Sequence, residues 1–516
     1  MMKKKITILH TSDVHGYILP INYANNKPQN IGFSKLASLV KEYDKDHTIL
    51  IDTGDTIQGS PMMHILQASD KTMPHPIAKT MNAMQYHYFI PGNHDFNFGQ
   101  AYLNSFLSQL QATSLCANIH KNDKLYFEQP YTIHQTSDGI KIAIIGVTTE
   151  YIPNWEQPAN IEGLSFHSVI DTLSTILPEV KKSKPHAIVV AYHGGFEKDL
   201  DTFEYTSKDT KENVGSSILE TFPEIDVLLT GHQHRQLQQT VEQTIISQPG
   251  SKGQSISEIE LTFDVTSEPK LDSKKVRLRS TEDYPTSMTI ENLVAKEEEI
   301  TQNYLNTVIG RVNGPSMLIE DQFLARIEKH PIVSLINKIQ MQTSGAMISC
   351  MSLANDSTGF NQEITVRNVF STYPFPNTLS VLKISGKDLK LALEENAKYF
   401  TLIDGNITVS DAFSKPKEQH YNYDMFDGID YTIKVSNKIG SRIVSLSRNG
   451  KAIKETDIFT LVLNNYRASG GGDFAIFRKL EVIKEIPKDV PILIIDYIKQ
   501  VEEIVPNEQN NIHIIK

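Results

Sequence analysis

Short apolar runs, each breaking off at polar residues, set the rhythm of the first half of the chain. Ile6–Leu9, Thr48–Asp52, Tyr88–Ile90, Ile142–Val147, Ala187–His193 and Ile225–His234 are all of this kind. Runs this short and this continuously apolar predict strands buried on both faces. Helical spacing fills the intervals. Residues 31–43 put Leu36, Leu39, Val40 and Tyr43 on one face, and 74–86, 168–182 and 213–222 are expected to be helices too. Strand–helix alternation predicts α/β layers, in which the carboxyl ends of the strands meet at one crevice. Residues 255–280 carry Ile256, Ile259, Leu261, Phe263 and Val265, an alternating strand that would close the first domain.

Beyond it the pattern changes. Ser287–Val312 is expected to be one helix, with Ile290, Leu293, Val294, Ile300, Tyr304, Leu305 and Val308 as its apolar face and Asn313-Gly314-Pro315 as its stop. Ile332–Gln342 and Gly386–Tyr399 follow as helices. Ala346–Leu353, Thr378–Ile384, Tyr431–Val435, Ile443–Leu446 and Ile458–Leu463 follow as strands. A chain of 516 residues exceeds one ordinary core. The expected division is 1–285 as a catalytic domain, 286–324 as a linker helix and hinge, and 325–516 as a mixed α+β domain.

Composition narrows the partners. A net charge of −11 argues against a binder of nucleic-acid polymers, which needs a basic face. No apolar stretch approaches the length of a membrane span, and no protein partner is indicated. The two cysteines, Cys116 and Cys350, cannot form a disulfide framework, so a reducing compartment is expected. Met-Met-Lys-Lys-Lys resembles the start of a signal peptide, but the apolar run stops at Leu9, where His10, Ser12, Asp13 and His15 intervene. The expectation is a cytoplasmic protein, or a secreted one where a leader has been removed.

The strand ends carry the chemistry. Asp13 and His15 are one residue apart, so in an extended strand end both side chains would point the same way. Asp55 follows the second strand. Pro91 and Gly92 turn the chain after the third, and Asn93 and His94 sit at that turn. His193 ends a later strand, and His232 and His234 end the next. Any one of these is ordinary. Together, several separate strand ends deliver metal-type groups to one crevice. Imidazole and carboxylate donors favour Mn, Zn, Co or Fe over Ca or Mg alone.

D-x-H, G-D, G-N-H-[DE], a later histidine and G-H-x-H, in that order, resemble the metallophosphoesterase superfamily. The resemblance implies a four-layer α/β/β/α domain holding two divalent metal ions. Asp13, His15 and His234 would hold one, Asn93, His193 and His232 the other, and Asp55 would bridge them. Two such ions about 3.5–4 Å apart clamp an in-line displacement at phosphorus. His94 would stabilise the transition state and protonate the leaving oxygen. Asp95 is expected to support the structure.

Three aromatic, turn-rich stretches mark the second half: Phe370–Asn377, His420–Gly428 and Asn464–Asp473. Paired aromatics can sandwich a planar base, at about 1–3 kcal/mol per stacked base. These stretches resemble the C-terminal domain of the 5′-nucleotidase family. By that resemblance Phe375 and Tyr466 would stack on the base of a nucleotide substrate, while Asn377 and Asp473 approach its polar edges. Two positions separate the branches of that family. Asn97 stands where the 5′-nucleotidase branch has the aspartate that orients its histidine, and an amide orients an imidazole without supplying charge. Asn355, in Leu353–Ser357, stands where that branch has a substrate-holding arginine. Asn97-Phe98-Gly99, Tyr421–Gly428 and Asn464–Gly471 look instead like the bifunctional 2′,3′-cyclic-nucleotide 2′-phosphodiesterase/3′-nucleotidases. The expected activity is theirs. The alternatives are a 5′-nucleotidase or nucleotide-sugar hydrolase on the same fold, and a nucleotide-binding protein with a decayed site.

Overall fold

Lys3–Thr11 and Thr48–Asp52 lie side by side and parallel, with Thr7 opposite Thr48 and Thr11 opposite Asp52. The structure is a computed structural model that describes every residue except 1, 68–73, 206–210, 376, 416–417, 473, 487 and 508–509. The chain divides into two compact units: Met1–Asn22 with Asn26–Thr301, and Tyr23–Asn25 with Gln302–Lys516. The division falls inside the stretch expected to connect the domains.

The first unit contains two six-stranded sheets. In spatial order one runs Lys270–Ser280, Ser255–Asp264, Lys3–Thr11, Thr48–Asp52, Tyr88–Phe89, Thr113–Ser114. The other runs Gln236–Val241, Thr244–Pro249, Val227–Thr230, Ala187–His193, Lys141–Thr148, Tyr131–Gln135. The central strands of each are parallel and the outer ones antiparallel, except the edge strand Thr113–Ser114, which runs parallel to Tyr88–Phe89. Ile6, Ile8, Ile49 and Ile51 of the first sheet pack with Ile142, Ile144, Val189 and Leu229 of the second in one buried seam. Alternate residues of the same strands turn outward. Ala143, Ile145 and Val190 meet Leu173, Leu177 and Val180 of helix Val169–Lys182. On the first sheet's outer side, Phe89 meets Phe106 of helix Gly99–Leu107 with ring centroids 5.2 Å apart. Phe33, at the start of helix Phe33–Val40, meets Tyr86 at 6.1 Å. These are the expected four layers. Each buried aliphatic side chain in the seam contributes about 1.5–3 kcal/mol, and a slip of one residue would turn the whole set outward.

Two expectations are corrected. Residues 287–312 are not one helix but two, Met288–Leu293 and Ala295–Leu305, followed by the strand Val308–Val312. Long-range pairing decides the last piece. It runs antiparallel to Glu363–Thr365 and parallel to Glu503–Ile504, and local spacing carries no sign of either. Residues 255–280 are a hairpin of two strands, Ser255–Asp264 and Lys270–Ser280. The second of these, lined with Lys270, Lys274, Lys275, Arg277 and Arg279, guards the sheet edge with charge.

The second unit is mixed α+β. Its main sheet runs Asp424–Asp427, Ile348–Ser352, Ile458–Asn464, Leu379–Ser385, Glu481–Ile486. Helix Pro331–Ser344 lies against this sheet, and its Asn337 donates to Asp427, which also pairs with the buried Lys329. Among the described residues no helix is long and apolar enough to cross a membrane.

Candidate active site

The strand Lys3–Thr11 gives way to a backbone that is not extended. Asp13 and His15 have φ of 54° and 52°, in the left-handed region. The two side chains still reach one cluster, but through two left-handed residues on either side of Val14 rather than the alternation of a strand. The loop is laced to its neighbour. The Asp13 N–H donates to the Gly54 carbonyl at 2.8 Å, the His15 N–H to Asp55 at 2.8 Å and the Gly16 N–H to Thr56 at 2.9 Å. Asp55, His232 and His234 have φ of 54°, 68° and 55°. Outside glycine each such residue costs about 1–2 kcal/mol, and it persists only where its surroundings over-determine it. A His234→Gly protein should therefore be as stable as the native chain without metal, or more stable by up to about 1 kcal/mol. It should also lose metal affinity. Thermal melts in chelator and in Mn²⁺ check both, and a destabilised metal-free variant would contradict the strain.

Asp13, His15 and His234 bring one ligand atom each to within 4.8 Å of the others, and so do Asp55, His193 and His232. His15 Nδ1 lies 3.1 Å from the Gln58 carbonyl oxygen, which can only accept. The proton is therefore on Nδ1, and the lone pair of Nε2 faces His234 Nε2 at 3.0 Å. His193 Nδ1 is likewise held by the Thr53 carbonyl. Its Nε2 faces Asn93 Oδ1 at 3.1 Å and Asp55 Oδ2 at 3.3 Å. His232 Nε2 lies 3.1 Å from a Glu212 carboxylate oxygen, which leaves Nδ1 facing Asn93 Oδ1 at 2.9 Å. Imidazole, carboxylate and amide donor atoms thus converge in two groups, the donor chemistry of a site for divalent cations. Asn93 belongs with the second group. Glu212 lies on no strand end and was not anticipated.

The charges agree with this donor set. Asp13 and Asp55 are buried, and among the described residues neither has a lysine or arginine partner. Burial opposes their ionisation, but the imidazoles prevail. His234 and His193 hold Asp13 below the usual carboxylate range, and His193, His94 and His15 hold Asp55 well below it. His193 is pushed up to about 10, because Asp55 and Asp13 outweigh its burial. Burial, with His234 and His94 nearby, pushes His15 down to about 3. Two buried carboxylates recruiting a proton onto one imidazole mark a pocket that calls for positive charge.

His94 stands beside both groups. Its ring is 5.3 Å from that of His15, and its backbone N–H donates to Asp55 Oδ1 at 2.7 Å. Its Nδ1 meets Asn97 Oδ1 at 2.7 Å, and Asn97 Nδ2 donates in turn to Glu156 Oε2 at 2.6 Å. The charge missing at position 97 is thus found one link further out. Trp155, next to Glu156, stacks on His232 with centroids 5.3 Å apart and planes at 30°. Asp95 supports the structure, as expected. It accepts the backbone N–H groups of Asp55, Thr56, Ile57 and Gly92 at 2.8–3.0 Å, tying two strand-end loops together.

In the second unit, Phe375 is half-buried, its ring 5.8 Å from Tyr373 and 6.3 Å from Tyr421. Tyr421 belongs to the aromatic stretch His420–Gly428. Tyr466 is exposed, and Arg467 fixes the loop that carries it. That guanidinium pairs with the buried Asp424 at 2.8 Å and donates to the Gly471 carbonyl. The Asn377 carbonyl accepts from the Val490 N–H at 2.8 Å. Asp473 lies outside the described residues. Asn355, at the expected arginine position, donates to the Glu418 carbonyl at 3.0 Å.

Comparison with known proteins follows the same division. The calcineurin-like phosphoesterase model matches residues 6–236, and the 5′-nucleotidase C-terminal domain model matches residues 308–479. A Staphylococcus aureus protein provisionally named a 5′-nucleotidase, solved in complex with alpha-ketoglutarate, is 35% identical with a TM-score of 0.86. The alignment covers 99% of this chain and 100% of that one. The chain belongs to the 5′-nucleotidase family of metallophosphoesterases. The family's calcineurin-like domain uses divalent metals, and this member presents two clusters able to hold them. Other members of the 5′-nucleotidase family are similar over nearly the whole chain. The 2′,3′-cyclic-nucleotide 2′-phosphodiesterase/3′-nucleotidase of Haemophilus influenzae is 26% identical over 98% of this chain and 87% of its own length. The trifunctional nucleotide phosphoesterase protein YfkN of Bacillus subtilis is 25% identical over 98% of this chain, which spans 38% of that longer protein.

Proposed function

We propose that the protein hydrolyses 2′,3′-cyclic nucleotides to 3′-nucleotides, and 3′-nucleotides to nucleoside and phosphate. The observation that carries a dinuclear hydrolase is the convergence of imidazole, carboxylate and amide ligand atoms in two groups, with His94 beside both. Asp13, His15 and His234 would hold one ion and Asn93, His193 and His232 the other, with Asp55 between them. Mn, Zn, Co or Fe suits such donors. Bound there, the ions supply Lewis acidity toward a phosphoryl oxygen and a nucleophile from water at neutral pH.

The chain's own residues do the rest. Gln58, Thr53 and Glu212 each engage one nitrogen of His15, His193 and His232, so that each ring aims its other nitrogen inward, where a bound ion would take the place of a proton. The oxygen of water becomes bonded to phosphorus and the bond to the ribose 2′ oxygen breaks. That oxygen takes its proton from His94 Nε2, the ring nitrogen not engaged by Asn97. A second displacement on the 3′-monoester releases the nucleoside. Base recognition is assigned to the second unit, with Phe375 and Tyr466 as stacking faces and Asn377 and Asp473 toward polar edges. The buried, unbridged Cys116 and Cys350 support a cytoplasmic setting.

The choice of substrate within the family rests on Asn97 and Asn355 and on the name of the Haemophilus influenzae relative. The more similar Staphylococcus aureus protein supports a second reading, a 5′-nucleotidase. Turnover of 2′,3′-cyclic AMP, 3′-AMP and 5′-AMP by the purified protein with Mn²⁺ separates them. The expected order puts the first two well above 5′-AMP. A clear preference for 5′-AMP with an inert cyclic substrate would overturn the reading. Absence of any chelator-sensitive phosphatase activity would favour a binding protein.

A further inference from the structure

Glu156 lies 59 residues beyond Asn97 in the chain and is 8% exposed. Its Oε1 accepts the Gln157 backbone N–H at 2.7 Å and Asn160 Nδ2 at 2.8 Å. Its Oε2 accepts Asn97 Nδ2 at 2.6 Å. Asn160 Nδ2 also donates to the Asn97 carbonyl at 3.0 Å, so the two segments are held at two points. A carboxylate offers only acceptors. The Asn97 amide must therefore turn its NH₂ toward Glu156 and its oxygen toward His94, where it meets Nδ1 at 2.7 Å.

We propose that Glu156 is a positioning residue that decides, through the Asn97 amide, which nitrogen of His94 carries the proton. The proposal rests on reading His94 as the donor to the leaving oxygen. With Asn97 Oδ1 able only to accept, neutral His94 keeps its proton on Nδ1. A second proton, taken up at Nε2, is then the one passed to the departing oxygen; this returns His94 to its Nδ1–H form, and Nε2 is reprotonated by the proton that the attacking water loses. The asparagine at position 97 does not remove the orienting charge from this histidine. It moves that charge one residue outward and transmits it as hydrogen-bond direction.

The polarity of the relay makes a specific demand on substitutions. In Glu156→Gln a single carbonyl oxygen remains. The Gln157 N–H and Asn160 Nδ2 both require it, so the new NH₂ faces Asn97. The Asn97 amide must then flip, presenting NH₂ to His94 and driving its proton to Nε2. In Asn97→Asp two carboxylate oxygens would face each other where 2.6 Å now separates donor from acceptor, so the relay breaks for a different reason. The double substitution restores every direction. The introduced glutamine amide donates to the introduced carboxylate at position 97, and that carboxylate accepts from His94 Nδ1.

The test is this cycle in the full-length chain. Each single variant should lower kcat on 3′-AMP by about 10–100-fold with little change in KM. The loss should be much smaller on p-nitrophenyl phosphate, whose leaving group departs without a proton. The double variant should recover most of the native kcat. Nitrogen NMR of the metal-free proteins should find the His94 proton on Nδ1 in the native and double variants and on Nε2 in Glu156→Gln. Native kcat in Glu156→Gln, a double variant as poor as the combined singles, or an unchanged tautomer in Glu156→Gln would each overturn the assignment. Should a single variant fail to fold, the double variant's kcat and tautomer carry the decision. If the native protein turns over none of the nucleotides, the functional reading falls, and the tautomer comparison still judges Glu156.

Discussion

An Asp55→Asn protein is expected to lose on the order of 10³-fold in kcat while keeping its fold. The substitution is nearly isosteric. Asparagine also tolerates the left-handed backbone that Asp55 adopts, with φ of 54°. The backbone contacts survive, because the N–H still donates to Asp95 and the carbonyl still accepts from His15. What disappears is the carboxylate that approaches His193 at 3.3 Å and His94 through its backbone N–H at 2.7 Å. Asp55 and the protonated His193 form a buried pair, and removing one partner of such a pair is destabilising, so the metal-free melting temperature should fall. Binding has its own readout. The chain contains a single tryptophan, Trp155, and it stacks on His232. Mn²⁺ titrated into the native protein should quench its fluorescence, and Asp55→Asn should shift that titration to higher concentration. A native titration curve with native kcat would remove Asp55 from the centre.

Much of the fold was legible because its central strands are buried on both faces. Ile142–Val147 carries no polar position to disguise it and Ala187–Ala191 none before Tyr192 and His193, and the sheets place apolar residues on both sides of each. Where burial is one-sided or pairing is remote, the pattern misleads. Val308 continues a helical spacing, yet it is an exposed residue of a strand whose partners lie at 363–365 and 503–504. Lys270–Ser280 alternates weakly because it is an edge strand lined with charge.

The site was legible as residue types at strand ends, and less so as geometry. Asp13 and His15 were expected together because strands alternate. They come together because both are left-handed, a conformation that aspartate and histidine do not announce as glycine would. Glu156, Trp155 and Glu212 carry no local signal at all. They lie on segments outside the strands, and their partners Asn97 and His232 are 59 and 20 residues away for the two glutamates. The absent aspartate at position 97 was visible, but its replacement by a remote carboxylate was not.

A Gly92→Ala protein should lose activity to a similar extent as Asp55→Asn, but for a steric reason. Gly92 has no left-handed backbone to explain its identity, so the constraint is space. A Cβ there would stand 2.3 Å from Asp55 Oδ1, 2.4 Å from the Asp55 backbone nitrogen and 2.6 Å from His193 Cε1. Neighbouring Gly54 is equally confined, since its Cβ would lie 2.1 Å from the Gly92 nitrogen. Two loops thus touch backbone to backbone beneath the second ligand group. Neither can withdraw easily, because Asp95 holds both by their N–H groups. The methyl group must displace Asp55 and His193 or part the loops, at a cost of about 1–3 kcal/mol. The melting temperature should therefore fall in Gly92→Ala as it does in Asp55→Asn, and both should bind Mn²⁺ weakly by Trp155 fluorescence. Native metal affinity in Gly92→Ala would mean that the loops can part without disturbing the ligands. The close contact of Gly54 and Gly92 would then be a packing detail rather than the support of the centre.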